Sequence, residues 1–165
     1  MNSTLPTLEP GDTFFIPNKT FYMMGGIIAP DISSVVFVID GTLLFSNDLG
    51  NWPRNEENGD VLNCLLLDRM RNVTITSTGV GTLDGNGERW WGIPGIGFLV
   101  RKEDRPNLFK TEDSTDLLVE NLFLKDAPHW TFETKNVDGL EIRYVEIEAR
   151  RTDQGSTIIR GVMYI

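Results

Sequence analysis

The sequence has few of the residues on which several kinds of site depend. It contains one cysteine and one histidine among 165 residues. Cys64 cannot form an internal disulfide, and it lies in the apolar run NCLLL, so we expect a buried, unreactive thiol rather than a nucleophile. The single histidine, His129, excludes any site that needs two or more histidines from this chain.

Positive charge is also scarce. Lys and Arg total 15 against 24 Asp and Glu, which gives a net charge of −9. This balance argues against nucleic acid as a partner, because binding to phosphates needs clustered Lys and Arg. It would also repel a polyanionic substrate at long range unless basic residues cluster locally.

Long apolar runs are missing as well. None approaches the roughly 20 residues that a membrane helix needs, so we expect no membrane partner. The N-terminal residues MNSTLPTLEPGDTFF lack the basic and apolar regions of a signal peptide. The sequence therefore predicts either a cytosolic protein or one whose true start is missing. Three sequons, at Asn2, Asn18 and Asn72, are candidate glycosylation sites and would carry glycans only in a secreted protein.

Helical periodicity is scarce, and short β-rich runs between turn residues dominate the chain. A phrase of alternating apolar and polar residues occurs three times, in MRNVTIT from Met70, VENLFLK from Val119 and IRYVEIE from Ile142. The second and third copies begin 23 residues apart. A strand unit that recurs at this length indicates a solenoid.

The repeats predict an all-β fold, a parallel β-helix in which residues 1–165 form a single domain. An antiparallel sandwich of short strands is the alternative. Asn72 and Asn121 occupy the same position in the repeated phrase, so we expect them to stack as a hydrogen-bonded ladder at a turn.

Two longer motifs resemble family 28 of the glycoside hydrolases, the polygalacturonase family. GTLDGNGERWWG, residues 81–92, is similar to the family phrase G-x-[IL]-D-G-x-G-x-x-[WY]-W. The segment from RPNLFK to LKDAPHWTFE, residues 105–133, resembles the next landmark, in which an R-P pair precedes a strand and a phrase like L-x-N-S-P-x-W. NVDGLEIRYVEIEA, residues 136–149, resembles the coil that follows.

The resemblance implies a right-handed parallel β-helix of the pectin-lyase type. It also implies an extracellular enzyme that hydrolyses α-1,4-linked galacturonic acid in pectin with inversion, without a metal or organic cofactor. One aspartic acid would protonate the leaving oxygen, and other aspartates would activate water on the opposite side. The expected partner is therefore a pectic polysaccharide.

The family's catalytic motifs are absent from this sequence, which has no D-D pair, no G-H-G and no R-I-K. Asn136 to Glu141, NVDGLE, superficially mimics the catalytic phrase N-T-D-G-[IFV]-D. It falls one coil early by the family's order, and Val137 and Glu141 replace the threonine and the second aspartate. We therefore interpret it as an Asp-Gly turn entering a strand. The chain is expected to hold the N-terminal coils of a longer family domain, with no catalytic residue and little activity alone.

The glycine-rich stretch GVGTLDGNGERWWG, residues 79–92, places acids beside tryptophans and could be a ligand site. The prediction is instead a structural corner. Asp84 would cap a turn, the stretch from Asp84 to Gly87 would give a backbone able to adopt the positive φ of a tight corner, and one or both of Trp90 and Trp91 would pack over the end of the coil.

Three residues are candidate substrate-binding residues. The resemblance places His129 near the cleft, although a hydrogen-bonded turn histidine is the alternative. Arg150 and Arg151 could pair with galacturonate carboxylates, or they could belong to a solvated face. Glu56, Glu57 and Asp60 are interpreted as a solvated acidic loop rather than a calcium site, so no metal ligands are predicted.

Three functions remain open at this stage. The first is a polygalacturonase-like hydrolase, represented here by its N-terminal part. The second is a non-catalytic β-helix that binds polysaccharide or acts structurally. The third, a calcium-dependent pectate lyase, needs an acid cluster and a basic residue that abstracts a proton. An exposed solenoid end is expected to favour oligomerisation in each case.

Overall fold

A computed structural model of the chain describes residues 7–79, 81–93, 96, 100–101 and 104–149. Within these residues the chain forms fourteen short β-strands in three sheets, and every strand pairs in parallel with its neighbours. A five-residue 3-10 helix, Gly87–Trp91, follows the eighth strand. The predicted all-β parallel β-helix is confirmed.

Each turn of the solenoid, or coil, passes through the three sheets in the same order. Sheet A contains, in spatial order, β1 (Thr13–Ile16), β4 (Val36–Ile39), β7 (Arg71–Thr76), β10 (Thr115–Glu120) and β13 (Asp138–Arg143). Sheet B contains β2 (Thr20–Met23), β5 (Thr42–Phe45), β8 (Gly81–Asp84), β11 (Leu122–Lys125) and β14 (Glu146–Glu148). Sheet C contains β3 (Ile27–Pro30), β6 (Leu65–Asp68), β9 (Phe109–Glu112) and β12 (Phe132–Lys135).

The length of the coils varies, and two insertions account for the variation. Thr13 pairs with Val36 and Thr115 pairs with Asp138, in both cases 23 residues further along the chain. The register from β4 to β7 is longer, because Val36 pairs with Thr74, and most of the additional residues lie in insertion loop 1 (residues 46–64, between β5 and β6). The register from β7 to β10 is longer still, because Arg71 pairs with Thr115, and most of its additional residues lie in insertion loop 2 (residues 85–108, between β8 and β9). Both loops lead into sheet C.

The core follows from the alternation of side chains along each strand. Val73 and Ile75 of β7 point inward and lie in register with Leu117 and Val119 of β10, and all four are almost completely buried. The polar residues between them face outward. Fully burying an aliphatic side chain of this size stabilises a fold by about 1.5–3 kcal/mol. A continuous apolar stack across the coils therefore holds them together.

The turns stack as well, through residues in the left-handed conformation. The turn between sheets C and A has positive φ at Asp31, Arg69, Asp113 and Asn136. Positive φ also occurs at or just before the start of each later strand of sheet A, at Ser34, Asn72, Asp116 and Gly139. Side chains bond along these rows: Asn136 Nδ2 donates to Asp113 Oδ1 at 2.7 Å, and Asn72 Nδ2 donates to Ser34 Oγ at 3.2 Å.

The predicted ladder between Asn72 and Asn121 is wrong. Asn121 lies in a different turn, between β10 and β11, where its Nδ2 is 3.4 Å from Thr76 Oγ1. The structure pairs Ile75 with Val119, so the phrase beginning at Met70 is out of register with the later copies. The later copies span the corner between sheets A and B, which is one residue long at Asn121 but four residues long (77–80) between β7 and β8, so the phrase does not recur at the equivalent place.

Candidate functional site

The glycine-rich stretch is a structural corner, as predicted. Asp84 Oδ1 accepts a hydrogen bond from the Asn86 backbone N–H at 2.9 Å, which closes the turn, and Oδ2 accepts one from Lys125 Nζ at 2.6 Å. Burial lowers the pKa of Lys125, but the hydrogen bond to Asp84 and the charges of Asp84 and Asp126 outweigh it, so the pKa is raised. Asp84 thus ties two coils together through a part-buried ion pair.

The stretch from Asp84 to Gly87 adopts positive φ as predicted, at Asn86 with φ of 48°. Gly85 and Gly87 permit close approach of the next coil. A Cβ on Gly87 would lie 2.6 Å from the carbonyl oxygen of Asp126, and one on Gly85 would lie 2.7 Å from the same atom.

The two adjacent tryptophans pack against the solenoid, which confirms the structural interpretation. Trp90 is buried and meets Trp52 of insertion loop 1 edge-on, with ring centroids 5.1 Å apart. Trp91 Nε1 donates to the carbonyl oxygen of Ala127 at 2.9 Å. These contacts anchor insertion loop 2 to the coils, so the rings are not available as open platforms for a sugar.

His129 lies in a hydrogen-bonded turn between β11 and β12. Its Nδ1 is 3.0 Å from Asn107 Oδ1, and the same amide oxygen accepts the Trp130 backbone N–H at 3.3 Å. Asn107 Nδ2 donates to Glu133 Oε2, which fixes the orientation of the amide. Because an amide oxygen can only accept, His129 Nδ1 carries the proton in this contact. The buried Asn107 therefore sets the tautomer of His129.

Trp130 provides the exposed aromatic surface that Trp90 and Trp91 do not. It is 54% exposed, and its ring centroid lies 5.1 Å from that of His129. On the outer face of the adjoining strands, Lys110 Nζ lies 2.5 Å from Glu112 Oε1 and 3.8 Å from Glu133 Oε2. We call Trp130, His129, Lys110 and Glu133 the sheet C surface. It combines a flat ring with charged hydrogen-bonding groups.

Among the four residues of the sheet C surface, only His129 was predicted from the sequence as a substrate-binding residue. Lys110 and Glu133 are in direct register on β9 and β12. The signal for this pair is the similarity of the strands FKTE and FETK, in which apolar and charged residues occupy the same positions. Asn107 carried no sequence signal, because its role depends on three contacts made across coils.

The remaining predicted site residues are placed as follows. Arg150, Arg151 and Asn2 lie outside the described residues. Asn18 and Asn72 are exposed, and Asn72 already donates to Ser34 Oγ.

The segment that mimics a catalytic phrase is a turn entering a strand, as interpreted. Asn136 is left-handed and bonded to Asp113, Asp138 begins β13, and Gly139 has φ of 69°. The side chain of Asp138 is exposed at the edge of this turn. Asp138 occupies the position in its coil that Arg71 and Thr115 occupy in the two preceding coils.

The acidic loop is exposed and the cysteine is buried, as the sequence predicts. Glu56, Glu57 and Asp60 are exposed, and Asp60 Oδ2 accepts from Asn58 Nδ2 at 2.8 Å. Among the described residues no group of three or more His, Cys, Asp or Glu side chains is arranged to hold a metal ion. Cys64 is fully buried, and this burial raises the pKa of its thiol well above the usual value. No helix within the described ranges is long and apolar enough to cross a membrane.

Three parallel sheets, traversed in the same order by successive coils, define a parallel β-helix protein. Solved structures share this fold. A hyperthermoactive exopolygalacturonase from Thermotoga maritima superimposes with a TM-score of 0.60 at 19% identity, covering 87% of this chain and 40% of that one.

The sequence places the chain more narrowly within this class. Residues 12–159 match the profile of Glycosyl hydrolases family 28, and the chain belongs to this family. A polygalacturonase from Cryptomeria japonica is 26% identical over 149 residues, and Probable exopolygalacturonase B from Aspergillus fumigatus is 35% identical over 125 residues. These alignments cover 87% and 73% of this chain but only 26% and 28% of those proteins. The chain thus spans about a quarter of the length of these relatives.

Proposed function

We propose that this chain forms the N-terminal coils of an enzyme that hydrolyses α-1,4-galacturonosyl bonds in pectin. Family membership and the polygalacturonase relatives support this substrate. The chain would contribute part of the surface that holds the polymer, whereas the catalytic aspartates would come from coils that this sequence does not contain.

The sheet C surface is the observation that carries the proposal. Carbohydrates pack their C–H faces on exposed aromatic rings and hydrogen-bond to charged side chains at the ring edges. Trp130 offers the ring, and His129, held in one orientation by Asn107, offers a polar edge beside it. Lys110 offers a cation for a galacturonate carboxylate, although Glu112 and Glu133 compete for it. The surface thus suits one or two sugar units.

The chemistry of the whole enzyme would follow the two-carboxyl scheme of inverting glycosidases. A protonated carboxyl would give its proton to the leaving oxygen while a carboxylate on the opposite side of the sugar activated water. The sheet C surface would position the polymer for that step and would exclude water from one face of the bound sugar. Arg150 and Arg151 would pair with substrate carboxylates further along.

A non-catalytic polysaccharide-binding module is the second candidate function. The exposed Trp130 on the sheet C surface supports it, because an aromatic surface serves binding without catalysis equally well. Both functions place the protein outside the cell, with Asn2, Asn18 and Asn72 as glycan acceptors. Both also allow association of copies through the solenoid end, where Phe15 is exposed on the outermost strand of sheet A.

Titration calorimetry with trigalacturonate tests the sheet C surface directly. We expect Trp130→Ala to weaken binding about tenfold, equivalent to about 1.4 kcal/mol, because the stacking ring is lost. Tyr22→Ala is the matched control, since Tyr22 is an even more exposed aromatic residue but lies on sheet B. Equal affinities for wild type and Trp130→Ala, or the same loss of affinity in Trp130→Ala and Tyr22→Ala, would show that the sheet C surface does not bind the sugar.

A further inference from the structure

We propose that the two insertion loops form a second binding site, which takes a single sugar acid with one carboxylate. A cavity of about 320 Å³ lies between them. Its lining residues, none of which belongs to the sheet C surface, are Leu49, Arg54, Trp90, Val100, Arg101 and Asp104. Cavities that hold small molecules begin at about this size, so the space suits a monosaccharide rather than a polymer.

The walls of the cavity are held together by contacts between the loops. Trp52 of insertion loop 1 packs edge-on against Trp90 of insertion loop 2. Arg54 Nη1 forms an ion pair with Asp104 Oδ1 at 3.1 Å and also donates to the carbonyl oxygen of Gly59 at 2.8 Å. The cavity is therefore built before a ligand arrives, and the ligand does not have to order these loops.

The charges around the cavity favour an anion. Arg54 and Asp104 compensate each other, whereas Arg101 has no ion-pair partner in the part of the chain that the structure describes. Among the charged residues that line the cavity, one positive charge is therefore in excess, in a chain whose net charge is −9. A guanidinium group binds a carboxylate through two parallel hydrogen bonds, so Arg101 is suited to the acid group of the ligand.

Trp90 and two aliphatic residues form the apolar part of the cavity wall. The Trp90 side chain is buried, and its Nε1 is closed off by the surrounding atoms, so the ring acts as wall and not as a donor to the ligand. Leu49 and Val100 supply apolar wall for the C–H face of a sugar. Cation and apolar wall together match a hexuronate.

The choice of galacturonate as that hexuronate rests on the proposed function, whereas the site itself rests on the cavity. The test is a titration of the 15N-labelled chain with galacturonic acid, followed through the tryptophan indole N–H signals. Trp90→Phe assigns the Trp90 signal, and thermal unfolding verifies that this variant is folded. Galactose is the matched neutral sugar.

We expect a saturable shift of the Trp90 signal with galacturonate, at least tenfold weaker binding of galactose, and loss of the galacturonate effect in Arg101→Ala. Arg71→Ala, which removes an exposed arginine on sheet A, should leave the titration unchanged. A Trp90 signal that does not respond, or one that responds equally to both sugars and in Arg101→Ala, would overturn the site. Trp130→Ala should not alter this titration, so failure of the sheet C surface and failure of this site are separate results.

Discussion

Gly81 illustrates how closely successive coils approach one another. A Cβ at this position would lie 1.8 Å from the carbonyl oxygen of Ile39, a backbone atom that cannot move aside without shifting the neighbouring strand. Gly79, two residues earlier, has nothing within 4 Å of the corresponding position. A methyl group would clash at Gly81 but not at Gly79. Comparing the two positions therefore distinguishes a steric requirement for glycine from a general preference for it.

Replacing these glycines by alanine tests the packing between coils. Gly81→Ala should lower the free energy of unfolding by about 2 kcal/mol or more, because the backbone must shift to accept the methyl group. Gly79→Ala should change it by less than about 0.5 kcal/mol. Urea unfolding followed by circular dichroism measures both. Similar values for the two variants would mean that the coils are not packed as described.

The roles of single residues were predictable where they depend on local chain geometry. Asp84 caps a turn two residues away, and the apolar surroundings of Cys64 lie in its own strand and turn. The contacts of Asn107 were not predictable, because its partners Asn63, His129 and Glu133 come from other coils. Their meeting depends on the lengths of both insertion loops, which sequence spacing does not convert into a register.

Among the elements of the fold, the stacked turns place the strictest demand on sequence. Ser34, Asn72, Asp116 and Gly139 follow one another in the same left-handed position of successive coils. Gly, Asn and Asp tolerate this conformation, whereas a β-branched residue is strained in it. In the segment that mimics a catalytic phrase, this demand explains Gly139.

Asp116 tests the demand on the turns. Asp116→Val should lower the free energy of unfolding by about 1–2 kcal/mol, because valine is strained at positive φ. Thr115→Val, at an exposed neighbouring position on β10, is the control and should have an effect below about 0.5 kcal/mol. Chemical unfolding of both variants measures the difference. Asp116→Gly should be at least as stable as wild type, and a large loss there would argue against backbone strain as the cause.

At the level of strands, regular spacing decided which predictions succeeded. The 23-residue interval between Val119 and Ile142 is a true register, since these residues pair directly. The interval from Met70 failed, because the corner between β7 and β8 is longer than the corner between β10 and β11 that the later copies span. Alternating apolar residues therefore predicted the strands and the solenoid, while the alignment between coils required the structure.

For the whole molecule, the sequence was sufficient for the fold and the family, and the structure adds where a polymer could lie. The glycine-rich corner, the tryptophans and the stacked turns all serve the solenoid. Exposed Trp130 and the charged pair on β9 and β12 remain as a surface that the solenoid itself does not require. This surface is the reason why we propose that these coils contact the substrate.

The most direct test is to measure the release of reducing ends from polygalacturonate by the 165-residue chain, with polymer binding followed in the same samples. The account predicts binding that depends on Trp130 and no release above the buffer rate, because the D-D, G-H-G and R-I-K motifs are absent from these 165 residues. Asp138→Asn and Asp116→Asn serve as matched variants at two neighbouring turn acids. Release of reducing ends that is abolished by Asp138→Asn but not by Asp116→Asn would contradict the account and make the NVDG turn catalytic.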